Sequence, residues 1–207
     1  MEKKRNAIKE TITQFILIVF SVVLGLYLSE RIEDGKKRQE SDELLATIKS
    51  EVKDNLTLLE DWLPYHQEIN KNLDSLSKDA GFIEEFIENK YALLDKLLTR
   101  GSFMKRSPAS DAWDIAKSHP RIVNIEYKKL LVLSKIYNQQ AATFEPATEM
   151  FEIFNTKDVN KEKDARSNLF LMSNHWRELV AREEQLMYYY KAANETFDLK
   201  DDQNLDN

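Results

Sequence analysis

Between Thr11 and Ser29 the chain runs TITQFILIVFSVVLGLYLS, 19 residues without a formal charge. A helix of that length rises ~28 Å, close to the hydrocarbon thickness of a bilayer, so one membrane crossing is the expected use of the segment. A cleaved signal peptide shares the basic start and apolar stretch. Small residues at the two positions that signal cleavage requires are missing around Tyr27-Leu28-Ser29-Glu30, so the segment is expected to stay as an anchor. Ser21, Gly25 and Ser29 recur every four residues and would line one helix face, where small side chains let a second membrane helix approach closely.

Charge is unevenly spread about this stretch. Lys3, Lys4, Arg5 and Lys9 precede it, and Arg31, Lys36, Lys37 and Arg38 follow. Against five acidic residues these give residues 1 to 38 a net charge of +3, so the remainder holds −9 of a total of −6. The basic flanks suit anionic headgroups, whereas an acidic domain repels nucleic acid; the membrane is an expected partner and nucleic acid is not. Because four basic residues stand on each side, a count of them does not set the orientation. The N-terminal amine and the acidic Glu30, Glu33 and Asp34 downstream favour an N-terminus inside the cell and residues 30 to 207 outside. In a two-membrane bacterium the expected location is the inner membrane, single-pass, with a periplasmic C-terminal domain.

Four glycines, four prolines and 42% hydrophobic residues suit long helices, and the periodicity agrees. Leu45, Ile48, Val52, Leu56, Leu59 and Leu63 step by three or four; Pro64 should kink or end that helix, and Gly81 should cap its continuation. Phe82 to Arg100 reads as one amphipathic helix closing at Gly101. Ser107-Pro108 reads as the start of a short helix stopped by His119-Pro120, and Asn124 as the cap of a long helix kinked at Pro146. Residues 156 to 164 are a polar connector before a last helix with a heptad-like seam through Leu169, Met172, Trp176, Leu179, Glu183, Leu186 and Tyr190. The expected fold class is all-α: a single N-terminal transmembrane helix followed by an antiparallel helical bundle with a long first helix. Its parts are a basic flank at 1–10, the transmembrane helix at 11–29, a charged stalk at 30–40, the bundle at 41–197 and a disordered acidic tail at 198–207.

The block SDAWDIAKSHPRIVNIEYKKLLVLSKIYNQQ, residues 110 to 140, together with the anchor FILIVFSVVLGLYLSERIED, resembles an uncharacterised family of small bacterial single-pass membrane proteins. In that family an aromatic-containing short helix leads through a glycine turn into a Leu-rich helix ending in Tyr. Trp113, Ser118, Ile122, Ile125, Leu130 to Leu133 and Tyr137 stand at similar places, with His119-Pro120 where the glycine is expected. The resemblance implies a membrane helix joined to a helical region, and no catalytic residues.

Chemistry is sparse. Cysteine is absent, which excludes disulfides, thiolate metal sites and a cysteine nucleophile. His66, His119 and His175 are far apart and lack metal-ligand spacing, so surface or capping roles are expected and no metal or cofactor is. No phosphate-cradling loop or nucleophile elbow is present, and no catalytic residue is nominated. Candidate contact or pocket residues are Trp113, Tyr137, Trp176, Glu183, Tyr188 and Tyr189. Glu183 interrupts an apolar seam, where it would meet a Lys or Arg across the bundle. Tyr188 to Tyr190 cannot all face one core. The expected function is a membrane-anchored accessory or scaffold protein that associates with itself or a membrane complex, without catalysis. The alternative is an extracytoplasmic sensor or small-ligand-binding bundle.

Overall fold

The computed structural model describes the backbone of residues 2–198 and the side chains of 14–194 and Phe197. Seven α-helices and one 3₁₀ helix make up the described chain, and no strand occurs within it. The disordered tail expected at 198–207 falls outside the described residues except for the backbone of Asp198.

Helix α1, Glu2–Leu76, has two parts distinguished by burial. From Gln14 to Glu40 every side chain is exposed except half-buried Lys37, and this stretch includes a window of mean hydropathy 2.0, long and apolar enough to cross a membrane. At Ser41 burial begins. Leu45, Ile48, Val52, Leu59, Trp62, Ile69 and Leu73 are buried at alternating steps of three and four, with Asn55 and His66 occupying the two remaining positions of the same seam. Such a seam gives an apolar stripe that stays in contact with a partner helix along its length. The partner is α7, Ala165–Asp198, whose seam runs Ala165, Leu169, Met172, Trp176, Leu179, Glu183, Leu186, Tyr190, Ala193 and Phe197. Positions ascend on α1 as they descend on α7: Glu60 bonds Lys191 at 3.3 Å and Gln67 bonds Glu184 at 2.8 Å.

Pro64 does not end α1; the helix continues through it. Proline removes one backbone hydrogen bond and costs about 3 kcal/mol in a helix interior. Trp62, Leu63, Tyr65, His66 and Ile69 around it are all buried, and fully burying a large apolar side chain contributes about 2 kcal/mol, so packing outweighs propensity.

Helices α2, Ala80–Glu88, and α3, Ala92–Leu97, replace the single helix expected from Phe82 to Arg100. The break lies at Asn89, whose side-chain oxygen accepts from the Tyr91 amide at 3.1 Å in competition with the helical ladder. Gly81 is not a C-cap. It lies in the first turn of α2, where Asp79 caps by accepting from the Gly81 and Phe82 amides. Gly101 has φ 77°, a left-handed conformation suited to glycine.

The Ser107-Pro108 start is also displaced. Helix α4, Asp111–Ser118, begins after Ser110; just before it, the Ala109 amide and carbonyl are both bonded to Asn55 of α1. A 3₁₀ helix, Pro120–Asn124, follows His119, and α5, Tyr127–Thr143, starts after Glu126 rather than at an Asn124 cap. Pro146 separates helices instead of kinking one: α5 stops at Thr143, and α6, Glu145–Asn155, has the proline in its first turn.

Two apolar clusters result. Trp62, Ile69 and Leu73 of α1 join α2, α3, α6 and the first half of α7, while Leu45, Ile48, Val52 and Leu59 join α4, α5 and the second half of α7. Gly35, in the exposed stretch below the clusters, has nothing within 4 Å of where a Cβ would stand. Gly35→Ala is therefore expected to stiffen the helix by about 1 kcal/mol and to slow proteolytic cutting near residue 35, without changing the domain's melting temperature.

Candidate functional site

Burying a carboxylate in an apolar seam demands a partner. Glu183 is 0% exposed, and both its oxygens lie 2.8 Å from Nδ1 of His66, itself 1% exposed. The other ring nitrogen, Nε2, stands 2.8 Å from the carbonyl oxygen of Phe103. A carbonyl can only accept, so Nε2 carries a proton and donates it. The Nδ1–carboxyl axis is then bridged by one proton, held either as imidazolium with carboxylate or as imidazole with carboxylic acid. Desolvation pushes the Glu183 carboxyl upward, and the His66 hydrogen bond and charge pull it back only in part. Trp176 completes the knot by donating from Nε1 to the His66 carbonyl at 2.9 Å, with its ring edge-on to the imidazole.

A second buried knot lies about three turns away along α1. Asn55 donates to the Ala109 carbonyl at 2.7 Å and accepts from the Ala109 amide at 2.8 Å. Gln140 donates to the same carbonyl at 3.0 Å and accepts from the Tyr190 hydroxyl at 2.6 Å. Tyr137 donates to Glu51 at 2.6 Å, while the other Glu51 oxygen accepts from the Ala112 amide at 2.8 Å. Burial raises the phenol pKa of both Tyr137 and Tyr190, and the Glu51 charge adds to the rise. The segment from Thr99 to Ser110, which forms no helix, is thus fastened near both ends by polar side chains of the core. Arg100 also lies over the ring of Tyr65, 4.9 Å from its centroid.

Two cavities border this fastened segment. One, about 430 Å³, is lined by Trp113, Asp114, Lys117, Tyr137, Asn138 and Gln140 among others. The second, about 190 Å³, has His66, Phe103, Phe144, Phe151, Trp176 and Leu179 in its walls.

The structure brings together four of the candidates in two pairs. Trp113 and Tyr137 stack with ring planes 3° apart and centroids 5.4 Å apart. Trp176 and Glu183 meet at His66. Glu183 does not pair with a Lys or Arg, because the residue facing it across the seam is a histidine of α1. His66 consequently has neither a surface nor a capping role. His119 does cap, accepting from the Arg121 amide, and His175, partly exposed, pairs with Glu149 at 2.9 Å. Of the tyrosine run, Tyr188 is 68% exposed, Tyr189 is half-buried and Tyr190 is fully buried. Ser21, Gly25 and Ser29 are exposed, and Ser21 donates to the Leu17 carbonyl within its own helix. No group of three or more His, Asp or Glu side chains gathers as for a metal ion among the described residues.

Glu51, Asn55, His66 and Gln140 were not nominated from the sequence. For Asn55 and His66 the signal was a polar residue at a seam position, continuing the three-four stepping of Ile48, Val52, Leu59 and Trp62.

No family model, curated protein or solved structure matches this chain.

Removing the carboxyl leaves Nδ1 of His66 buried without a partner, so Glu183→Ala is expected to cost about 3–5 kcal/mol in urea unfolding. Glu183→Gln supplies an amide donor to neutral Nδ1 and should cost less. A carboxyl whose pKa rises on folding contributes stability that is complete below its unfolded value of about 4.3 and lost as pH climbs through the folded value. The melting temperature of Glu183→Gln should therefore gain on the parent's as pH rises above about 4.3, measured by circular dichroism across pH 4 to 8.

Proposed function

We propose that this chain is a non-catalytic, membrane-anchored accessory or scaffold protein, whose antiparallel helical bundle associates with a second copy or with another membrane protein. The carrying observation is the unbroken helix α1, which runs from the apolar stretch into the core seam without a flexible joint. That arrangement suits a domain held at fixed height and orientation for docking. Tyr188, exposed on α7 beside Tyr189, offers an aromatic contact on the domain, and Ser21, Gly25 and Ser29 offer one within the span. The basic flanks of the apolar stretch and the acidic residues after it support an inner-membrane location with a periplasmic domain in a two-membrane bacterium. Catalysis is disfavoured by the His66 geometry, since Glu183 and Phe103 already occupy both ring nitrogens.

A small-ligand-binding bundle is the second reading, favoured by the cleft of about 430 Å³ where Trp113 and Tyr137 stand beside Asp114, Lys117 and Gln140. That volume lies within the range of ordinary ligand sites. Native mass spectrometry separates the two: a small molecule retained by the purified full chain and lost in Trp113→Ala supports this second reading.

For the first reading, a photo-crosslinker at Tyr188 and another at Gly25 in cells should give discrete higher-mass adducts, while topology reporters place the C-terminus outside. An adduct-free monomer at both positions, in cells and in detergent, would sink the scaffold proposal. Tyr188→Ala is expected to abolish the domain adducts from a crosslinker at Gln185 while shifting stability by less than about 0.5 kcal/mol, as surface changes do.

A further inference from the structure

We infer that the corner made by the end of α4, the 3₁₀ helix and the start of α5 docks on the anionic headgroup layer of the membrane that anchors the chain. This rests on the anchor reading above.

Position is the first argument. Ser41 donates to the Arg121 carbonyl at 3.0 Å, and Arg121 Nε bonds Glu40 at 2.6 Å. The corner therefore lies against the first residues of α1 that enter the folded domain, at the end nearest the apolar stretch. From Ser29 to Ser41 the helix rises ~18 Å. Headgroups fill the first ~5–8 Å of that height. A usual tilt of ~20° brings one side of the domain lower. What remains is about one Debye length at physiological salt, a range over which charges still attract.

Composition is the second argument. Val123 and Tyr127, 79% and 78% exposed, are the most exposed large hydrophobic side chains among the described residues, and both belong to this corner. Between residues 117 and 129 the chain holds Lys117, Arg121, Lys128 and Lys129 against Glu126, a +3 that the Asp114 and Glu40 partners of Lys117 and Arg121 reduce to +1 within a chain of −6. Lys117 and Arg121 are engaged with Asp114 and Glu40, whereas exposed Lys128 and half-buried Lys129 make no ion pair among the described residues. Tyrosine beside lysine is the pairing that membrane–water interfaces favour, the ring at headgroup level and the ammonium on the phosphates. An acidic partner protein would satisfy the lysines equally, but it would leave unexplained why the basic, apolar corner occupies the anchor end of an otherwise acidic domain.

The natural chain has no cysteine, so a single introduced one reports only its own position. The full chain is reconstituted into phosphatidylcholine bilayers with and without phosphatidylglycerol, carrying an environment-sensitive fluorophore at Val123→Cys, Phe170→Cys or Leu24→Cys, and is quenched by headgroup-labelled or acyl-chain-labelled lipid. Phe170 is 52% exposed beside Ser77 and Lys78, at the other end of the domain. Headgroup quenching at position 123 is expected to rise about twofold with anionic lipid, to fall back in Lys128→Glu/Lys129→Glu, and to stay at background at position 170. Lys128 is exposed and Lys129 half-buried, and an unchanged melting curve for the double variant shows that the fold is kept. Acyl-chain quenching at position 24 with only background at 123 overturns the docking inference and leaves the anchor standing. Equal quenching at 123 in neutral and anionic bilayers overturns the anionic assignment. No acyl-chain quenching at 24 overturns the anchor and the inference together.

Discussion

A carboxyl group taken out of water on one helix meets, at this depth, an imidazole on another whose second nitrogen is already given to the Phe103 carbonyl. The His66–Glu183 contact therefore acts on the whole molecule as a register pin. Asn55 apart, the other seam positions of α1 and α7 are apolar, and apolar side chains tolerate a change of neighbour better than a buried ionisable pair tolerates separation. A slip that separates the pair leaves two buried ionisable groups without partners, at several kcal/mol. The remaining helices depend on that alignment, because α2, α3 and α6 fill the space on one side of the pinned level and α4 and α5 fill it on the other.

The same principle explains the irregular segment between α3 and α4. Backbone amides and carbonyls outside helices need partners when they approach a core. Here His66, Asn55 and Gln140 supply them, reaching out from seam or near-seam positions to Phe103, Pro108 and Ala109. The segment is fastened at those points and borders both cavities. Polar residues within the core thus serve two ends at once: they align the helices and they fasten a length of chain that has no ladder of its own.

Much of this was legible in the residues, and the failures have physical causes. The helical class, the start of burial soon after the charged stretch and the α7 seam followed from the stepping of Leu, Ile and Trp. Pro64 misled because local propensity was weighed without the tertiary burial on both sides of it. Asn89 was overlooked because a side-chain-to-backbone bond can break a periodic pattern that remains apolar throughout. Glu183 stood out as a seam residue, yet its partner did not, since His66 lies 117 positions earlier and nothing local marks two such residues as neighbours. Trp113 and Tyr137 could be nominated as aromatic candidates, but their parallel stacking depends on how α4 and α5 cross.

Because α1 is one helix from the apolar stretch to the core, height and azimuth of the domain are geared together. Each residue of the exposed stretch contributes ~1.5 Å of lift and ~100° of turn. A single residue added near Gly35 would swing the whole domain through more than a quarter circle relative to the apolar stretch. Seven residues would return it to within ~20° of its starting direction and merely raise it ~10 Å. The length of the stalk is thus an angular setting as much as a distance, and evolution of the chain by insertion there would be restricted to steps near whole helical repeats.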